Sequence, residues 1–249
     1  MQSELLTVPM RISQRVVMIS GANRGIGFAI ARRLLNDGHR ISLGMRDPDQ
    51  FRSEPANSSF QASESIHLHA YDANNPQSAA NWVQSTLDWA GAIDALIHCA
   101  GILRTTPLLF ADDEADDLDA LWRINVMGPW WLTRAAWPQL SQCGHGRLQV
   151  LVSMSGQRVK GRLAGYSASK FALMGLCQSM RNEGWASGIR VTAICPSWVN
   201  TEMARSISSV DPEEMSQPEE IASLSSTLLT LPNQSVPFEI KLNCGLEMI

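Results

Sequence analysis

The chain has 249 residues, of which 45% are hydrophobic and 18% are charged, and its formal net charge is −4. This length is enough to bury a sizeable core, and the acidic balance gives no reason to expect nucleic-acid binding, which favours a basic patch. No apolar run reaches the roughly 18 residues that cross a membrane. The five cysteines are scattered, odd in number and without metal-ligand spacing, so we expect reduced thiols, no metal site and a cytoplasmic location.

Strand-like and helix-like segments alternate along the chain, which favours a parallel sheet covered by helices on both faces. After a short extension at 1–13, which lacks the apolar stretch of a signal peptide, the predicted strands are 15–20, 40–45, 66–70, 94–98, 147–152, 190–195 and 237–242. The predicted helices are 25–37, 75–90, 114–141, 165–187 and 217–230. The stretches 47–65 and 200–217 are expected to be irregular. We therefore predict a single α/β domain over 1–249, a doubly wound parallel sheet of about seven strands, with a substrate loop at about 197–217.

A glycine-rich turn follows the first predicted strand. The apolar run Val16–Ser20 leads directly into Gly21-Ala-Asn-Arg-Gly25-Ile-Gly27, and the helical pattern after it ends at Asn36-Asp-Gly38. Glycines allow a tight turn and a close approach of the backbone, and the helix N-terminus offers free N–H groups to a pyrophosphate. The spacing differs from the ordinary Gly-x-Gly-x-x-Gly fingerprint, but its place between a strand and a helix predicts a dinucleotide-binding loop.

Tyr166 and Lys170 lie four residues apart in a predicted helix, so the ammonium group is expected beside the phenol. A free phenol has a pKa of about 10, and a close, partly desolvated cation is expected to lower that pKa by roughly one to three units. The pair therefore suits general acid–base chemistry. Ser153 follows the predicted strand 147–152, which delivers its hydroxyl to the sheet edge where nucleotides bind.

Together these residues resemble the classical short-chain dehydrogenase/reductase family, and the resemblance covers nearly the whole chain. The shared features are Gly21-x-x-x-Gly25-x-Gly27, Asp72, Ala100-Gly101, Asn125, Ser153, Tyr166-x-x-x-Lys170 and Pro196-Ser-Trp-Val-Asn-Thr201. The resemblance implies a Rossmann-type fold and an oxidoreductase that transfers a hydride between a nicotinamide cofactor and an alcohol or carbonyl.

The resemblance also assigns roles to individual residues. Tyr166 exchanges the proton of the substrate oxygen, Ser153 orients that oxygen, and Lys170 also binds the nicotinamide ribose. Asn125 corresponds to an asparagine at a helix kink that holds a water on the proton relay to Lys170. The implied catalytic set is Asn125, Ser153, Tyr166 and Lys170, with Ser153, Tyr166 and Trp198 touching substrate. The implied cofactor contacts are Gly21, Asn23, Arg24, Gly25, Ile26, Gly27, Arg46, Asp72, Ala73, Ala100, Gly101, Tyr166, Lys170, Pro196, Val199 and Thr201.

Charge at the end of the second predicted strand bears on the choice between NAD and NADP. Enzymes that use NAD commonly place a carboxylate there to bind the ribose hydroxyls, but this chain has Met45 followed by Arg46. Arg24 lies in the glycine loop, and two guanidinium groups suit a 2′-phosphate. Alternatively both arginines are ordinary solvated side chains, and Asp47 is available to pair with one of them. The sequence favours NADP(H) over NAD(H).

Three segments depart from the family pattern. His98-Cys99 replaces the usual Asn-Asn, and we expect His98 to affect stability and not chemistry. Pro196-Ser197 replaces Pro-Gly, and Asn243-Cys-Gly245 replaces Asp-Gly-Gly. These departures leave the expected catalytic set complete.

The substrate is less well defined. Trp198 lies in the loop expected to face the nicotinamide, which suits a small apolar carbonyl better than a sugar. A 3-oxoacyl-carrier-protein reductase is an alternative, although Gly144 and Ser187 stand where such enzymes have basic residues; Arg147 and Arg190 are close by. A non-catalytic nucleotide-sensing regulator and a lyase or epimerase also stay open. The apolar residues of helices 114–141 and 165–187 cannot all face one core, so part of them must be buried elsewhere. The resemblance implies that these two helices pair across a two-fold axis in a homo-tetramer or homo-dimer. Alternatively, this surface is a substrate groove on a monomer.

Overall fold

The computed structural model describes residues 14–60 and 63–242, so the extension at 1–13 and the segment Asn243-Cys-Gly245 lie outside the described residues. Seven parallel strands form one sheet in the order β3-β2-β1-β4-β5-β6-β7. They are β1 Val16–Ser20, β2 Arg40–Met45, β3 Ile66–Ala70, β4 Ala95–His98, β5 Arg147–Leu151, β6 Arg190–Pro196 and β7 Glu239–Leu242. The winding reverses between β1 and β4, and ligands bind beside the carboxyl ends of strands at such a switch point.

Helices cover both faces of the sheet, as predicted. They are α1 Gly25–Asn36, α2 Pro48–Ser53, α3 Pro76–Ala90, α4 Ala115–Trp122, α5 Gly128–Gln142, α6 Ala164–Gly184, α7 Glu202–Arg205 and α8 Pro218–Thr230. Met18 faces a cluster with α3, α5 and α6, whereas Ile19 faces a second cluster with α1 and α8, because neighbouring strand residues point to opposite faces. Within the described residues, none of these helices has the length and apolarity that a bilayer crossing requires.

The stretch 47–65 contains a short helix, so the prediction that it is irregular was wrong. The Asp47 carboxylate accepts a hydrogen bond of 2.8 Å from a backbone N–H of the first turn, and Pro48 begins the helix. An acidic cap followed by proline is a common helix start. Phe51 is buried in the core beneath α2, which holds the helix against the sheet.

The single helix predicted over 114–141 is interrupted. Residues Arg123–Met127 form a turn of π-helix between α4 and α5. Such turns widen the backbone locally and are frequent at functional sites. Asn125 lies in this turn and is 1% exposed, so the interruption falls at the asparagine for which the resemblance implies a kink.

Strand β2 passes very close to helix α3. A Cβ added at Gly44 would lie 2.5 Å from the ring of Trp82, so a side chain there requires repacking. Trp82 is fully buried, and its indole N–H donates a 2.9 Å hydrogen bond to Ser42 Oγ. This contact fixes the path of the strand that leads to Met45 and Arg46.

Helices α5 and α6 bury most of their apolar side chains within the subunit, but not all of them, in agreement with the prediction that they cannot all face one core. The members of this set that lie in the core are Leu132, Leu173, Met174, Leu176 and Met180, with Trp131 and Trp137 packed against them. Trp130 and Phe171 are exposed at 51% and 45%. The sheet, α3 and the neighbouring helix cover a wide arc of each helix, and these two side chains lie outside that arc.

Candidate active site

A cleft of about 920 Å³ lies at the carboxyl edge of the sheet, beside the switch point between β1 and β4. Asn125 is buried directly behind its wall, where the neighbouring Ile124 lines the cleft. Every other residue predicted for the site lines it: Gly21, Asn23, Arg24, Gly25, Ile26, Gly27, Arg46, Asp72, Ala73, Ala100, Gly101, Ser153, Tyr166, Lys170, Pro196, Trp198, Val199 and Thr201. The fold therefore brings together residues that are spread over most of the chain.

The glycine loop between β1 and α1 approaches the loop after β4 very closely. Gly21 has a φ of +68°, and a Cβ there would lie 2.7 Å from the Ala100 nitrogen. No side chain caps the start of α1, and its first turn holds no acidic residue. The helix therefore presents its positive end and its N–H groups to the cleft, which suits a phosphate.

Ser153 lies in a strained turn after β5. Among the non-glycine residues that the structure describes, it has the one positive φ, at 118°. Such a conformation costs roughly 1–3 kcal/mol and is concentrated at functional sites. Its hydroxyl accepts a 3.1 Å hydrogen bond from the Ser155 N–H and is hydrogen-bonded to the Tyr166 phenol. The strained turn thus places the serine hydroxyl within hydrogen-bonding distance of the phenol.

Tyr166 and Lys170 are adjacent on α6, as predicted. The Lys170 Nζ lies 5.7 Å from the centroid of the phenol ring and donates a 3.0 Å hydrogen bond to the Leu151 carbonyl. Burial raises the pKa of Tyr166 to about 12, against the opposing effect of the Ser153 hydrogen bond, and burial lowers the pKa of Lys170 to about 8. The prediction of a lowered tyrosine pKa is therefore not met, because desolvation outweighs the Ser153 hydrogen bond.

Asn125 joins the π-helical turn to the loop after β4. Its Oδ1 accepts a 2.9 Å hydrogen bond from the Ile102 N–H, and its Nδ2 donates to the Ile102 carbonyl at 3.0 Å. A Cβ at Gly101 would lie 3.2 Å from that Oδ1 and 3.8 Å from the Lys170 Nζ. The asparagine therefore holds the loop beside the lysine.

Ser169 is a site residue that the sequence reasoning missed. Its hydroxyl accepts a 3.1 Å hydrogen bond from the Asn125 Nδ2 and donates a 2.7 Å hydrogen bond to the Tyr166 carbonyl. It is 2% exposed and connects the π-helical turn to α6. The signal was its position three residues after Tyr166, on the same face of the helix.

Two exposed arginines line the cleft, Arg46 directly after β2 and Arg24 in the glycine loop. Arg46 is exposed and lines the cleft directly after the buried Met45. Arg24 also lines it and forms an ion pair with Glu202, whose side chain is 72% exposed. Asp47, the predicted competitor, serves as the cap of α2. Sequence reasoning missed Glu202, which is far from Arg24 along the chain.

The segment after β6 forms the opposite wall. Trp198 is half-buried and lines the cleft, and Val199 forms a β-bridge with Ser216. The Thr201 hydroxyl accepts a 3.3 Å hydrogen bond from a backbone N–H of α7 and so caps that helix. Part of the stretch predicted to be irregular at 200–217 is therefore helical, and its residues line the cleft.

His98 acts as a link between β4 and α5. Its Nε2 lies 2.9 Å from the Thr133 hydroxyl, and its side chain is 3% exposed. Burial lowers the pKa of His98 to about 3, so the ring is neutral at ordinary pH. This contact supports the prediction that His98 affects stability and not chemistry.

A group with metal-binding side chains lies at the other edge of the sheet. The ligand atoms of Asp94, Cys143 and His145 come within 4.8 Å of one another. The Asp94 carboxylate accepts a 2.8 Å hydrogen bond from the Val16 N–H, and the Arg15 guanidinium donates to the His145 carbonyl at 3.1 Å. A neighbouring guanidinium disfavours a cation, so we attribute these contacts to packing between strand ends.

Comparison with known proteins identifies the family. A short chain dehydrogenase family model matches residues 15–211. The chain is 36% identical over 235 residues to an agropine synthesis reductase of Rhizobium rhizogenes, and this match covers 94% of the chain but 53% of that protein. The chain thus spans about half the length of this relative. It is 30% identical over 193 residues to an acetoacetyl-CoA reductase of Shinella zoogloeoides, covering 78% of the chain and 77% of the relative. The chain belongs to the short-chain dehydrogenase family.

Solved structures share the fold. An alcohol dehydrogenase from the archaeon Thermococcus sibiricus, complexed with 5-hydroxy-NADP, aligns with a TM-score of 0.83 at 26% identity, over 95% of this chain and 99% of that chain. A metagenomic short-chain oxidoreductase in complex with NADP aligns with a TM-score of 0.77 at 29% identity, over 93% and 98%. The predicted Rossmann-type fold is confirmed, and the chain is a member of a family of oxidoreductases.

Proposed function

We propose that the protein is an NADP(H)-dependent oxidoreductase that interconverts a carbonyl and an alcohol on a small molecule. The observation that supports this most strongly is that Ser153, Tyr166 and Lys170 lie in the same cleft as the glycine loop. The cleft also has an apolar part, lined by Met154, Leu163, Trp198, Met203 and Ile207. We therefore keep the expectation of an apolar substrate body against Trp198.

The cleft fits a dinucleotide cofactor. A side chain at Gly21 would collide with Ala100, and the uncapped start of α1 offers N–H donors to a pyrophosphate. The residues that would hold the cofactor are those predicted from the sequence, together with the catalytic Tyr166 and Lys170. When bound, the nicotinamide supplies or accepts a hydride.

The chain's own residues would manage the proton. Because burial raises the pKa of Tyr166 to about 12, the phenol keeps its proton at neutral pH and can donate it to a substrate oxygen during reduction. The hydroxyl of Ser153, already hydrogen-bonded to the phenol, would contact the same oxygen and orient it. Lys170, with a pKa of about 8, would be charged near neutral pH and would stabilise the phenolate that remains.

The preference for NADP(H) rests on Arg24 and Arg46, which line the cleft beside β2, whereas the adjoining Met45 offers no carboxylate to ribose hydroxyls. A guanidinium fork binds phosphate in a bidentate manner. The two NADP complexes described above, at 26% and 29% identity, support the same choice.

A panel of ketones, aldehydes and alcohols assayed with NADPH and with NADH, followed by nicotinamide absorbance, tests this function. We expect turnover with NADPH and much slower turnover with NADH. If the protein binds NADPH tightly but reduces none of the carbonyl compounds, it would instead be the nucleotide-sensing regulator. Release of a fragment, or inversion of a centre without net oxidation of cofactor, would indicate a lyase or epimerase.

Reduction of a 3-oxoacyl thioester is a second candidate. The observation in its favour is the identity of 30% over 193 residues to a relative named acetoacetyl-CoA reductase. Arg147 and Arg190, the basic residues near the positions where such enzymes bind their substrates, are engaged within the fold. Arg147 is 2% exposed, and Arg190 donates to the Asn233 and Trp185 carbonyls at 3.0 Å. A thioester would therefore have to be held by other basic residues.

We also propose a homo-oligomer, as the family resemblance implies, with α5 and α6 paired across a two-fold axis. The surface that remains for this pairing includes Trp130 and Phe171, exposed at 51% and 45%. Sedimentation at micromolar concentration should give a dimer or tetramer of the 27.4 kDa chain. A monomer with full activity would contradict the assembly but leave the proposed chemistry intact.

A further inference from the structure

Basic side chains are concentrated around the cleft of this acidic protein. Among the described residues that line the cleft, seven are cationic and two are anionic, although the net charge of the chain is −4. Three of the cations, Arg158, Lys160 and Arg162, belong to the segment that joins Ser153 to Tyr166. They are therefore connected to the catalytic residues through short stretches of backbone.

The cofactor does not account for these charges. Arg24 and Arg46 lie beside β2, at the end assigned to the adenosine ribose, and the two lining carboxylates are Asp72 and Glu202. Asp72 follows β3 at the same end, and Glu202 forms an ion pair with Arg24. Asp72 is thus placed to offset charge at the cofactor end, and Glu202, although it lies on α7 three residues before Arg205, is paired with Arg24.

Apart from the catalytic Lys170 and from Lys160, the remaining cations are three arginines on two walls of the cleft. Arg158 is half-buried and Arg162 is exposed on the segment before α6, while Arg205 is exposed on α7, next to the apolar lining residue Met203. Helix α6 begins directly after this segment, at Ala164, and has neither a side-chain cap nor an acidic residue in its first turn. Its dipole therefore adds positive potential at the same place.

We propose that the substrate carries an anionic group, a carboxylate or a phosphate, in addition to its carbonyl, and that Arg158, Arg162 and Arg205 bind this group at the mouth of the cleft. A guanidinium group matches the planar oxygen pair of either anion, and a cleft of one sign of charge draws in ligands of the other. The proposal rests on the oxidoreductase function proposed above. It changes the expected substrate from an apolar molecule to one with an apolar body and an acidic end.

Two matched pairs of ketones test the proposal with NADPH. The first pair is 4-oxopentanoate and its methyl ester, and the second is acetoacetyl-CoA and S-acetoacetyl-N-acetylcysteamine. We expect kcat/KM to be at least tenfold higher for the anionic member of one pair, with the ratio falling as added salt screens the charges. A preference in the first pair assigns the site to carboxylates. Because coenzyme A also adds neutral groups, a preference in the second pair assigns the site to phosphates only where it falls with added salt. A ratio of one or less in both pairs overturns the proposal.

The double variant Arg162→Gln/Arg205→Gln changes two exposed residues and should reduce the anionic-to-neutral ratio at least fivefold. The matched control is Arg134→Gln, which removes an exposed guanidinium from α5 that does not line the cleft and should leave the ratio unchanged. An unchanged ratio in the double variant, with NADPH affinity retained as a sign of correct folding, also overturns the proposal. Arg158→Gln provides a second variant on the same wall as Arg162.

Failure of the oxidoreductase function and failure of the anion site give different results. If the protein neither binds NADPH nor reduces any carbonyl, the oxidoreductase function has failed. If NADPH binds but none of the four compounds is reduced, calorimetric titration of the NADP⁺-saturated protein with the same compounds decides the anion site. Tighter binding of an anionic member, lost in the double variant, supports the site, and equal or weaker binding overturns it.

Discussion

The two ends of the cleft use polar side chains in opposite ways. At the proposed ribose end, Arg24 in the glycine loop and Arg46 after β2 are exposed and make little contact with the core. At the catalytic end Asn125, Tyr166 and Lys170 are at most 7% exposed, and desolvation sets the pKa values of the phenol and the ammonium group. Substitutions at the catalytic end should therefore change chemistry and stability together, whereas those at the ribose end should change affinity alone.

The largest effect is expected at the catalytic end. Tyr166→Phe keeps the buried ring but removes its acidic proton, so kcat should fall by about 10²–10⁴-fold, the usual contribution of general acid catalysis. Steady-state assays and NADPH titration measure the two properties separately, and NADPH affinity should change little. Turnover within a few fold of wild type would show that another group supplies the proton.

Lys170 should reveal the link between chemistry and stability. The lysine pKa falls from an ordinary 10.5 to about 8 in the folded protein, so between these values the unfolded chain binds a proton that the native state does not. Its contribution to native stability is therefore least below about pH 8 and rises towards about pH 10.5. Across this window the wild type should gain about 3 kcal/mol relative to Lys170→Met, from about 1.4 kcal/mol per pKa unit.

Urea unfolding of the cofactor-free wild type and of Lys170→Met, at several pH values across the window, measures this difference. Comparing the two proteins at each pH cancels the titration of all other groups. A difference that does not change with pH would mean that the lysine titrates normally. In that case desolvation of Lys170 would not be one of the differences between the buried catalytic end and the exposed ribose end of the cleft.

At the ribose end, Arg46→Asp should act on affinity without changing stability. In the proposed NADPH complex the substitution removes a charge-assisted hydrogen bond to the 2′-phosphate and adds a repulsion, so the NADPH dissociation constant should rise at least tenfold. The NADH dissociation constant and the midpoint of thermal unfolding should stay nearly constant, because Arg46 is exposed. Fluorescence titration with both cofactors provides the measurement. Equal affinity of the wild type for NADPH and NADH would contradict a phosphate site here.

The smallest effect is expected for Glu202→Gln. This change breaks the ion pair with Arg24, in which both side chains are more than 60% exposed, at 64% and 72%. Exposed pairs contribute roughly 0–1 kcal/mol, so the unfolding midpoint should hardly move, while NADPH should bind up to about fivefold more tightly once Arg24 is released. Weaker NADPH binding would show that the pair orders the site instead of competing for the arginine.

Local patterns in the sequence predicted much of this arrangement. Gly21 and the helix after it follow from a strand, turn and helix that are contiguous, and Lys170 follows Tyr166 by one helical turn. Longer-range contacts escaped prediction: Glu202 reaches Arg24 from a distant segment, and the desolvation that raises the pKa of Tyr166 depends on how several elements pack together. The positive φ of Ser153 also gave no signal, because serine normally avoids that conformation.

The contact between Gly44 and Trp82 restricts which residues can be substituted at the end of β2. Even a methyl group at Gly44 would meet the indole ring at 2.5 Å, so a lineage that diverges from this sequence must keep the glycine or replace the tryptophan first. Arg46, two residues further on, is exposed and is open to single substitutions. Under the role proposed for Arg46, natural selection can therefore change coenzyme usage at this position without a compensating change in the core, while the path of β2 is conserved.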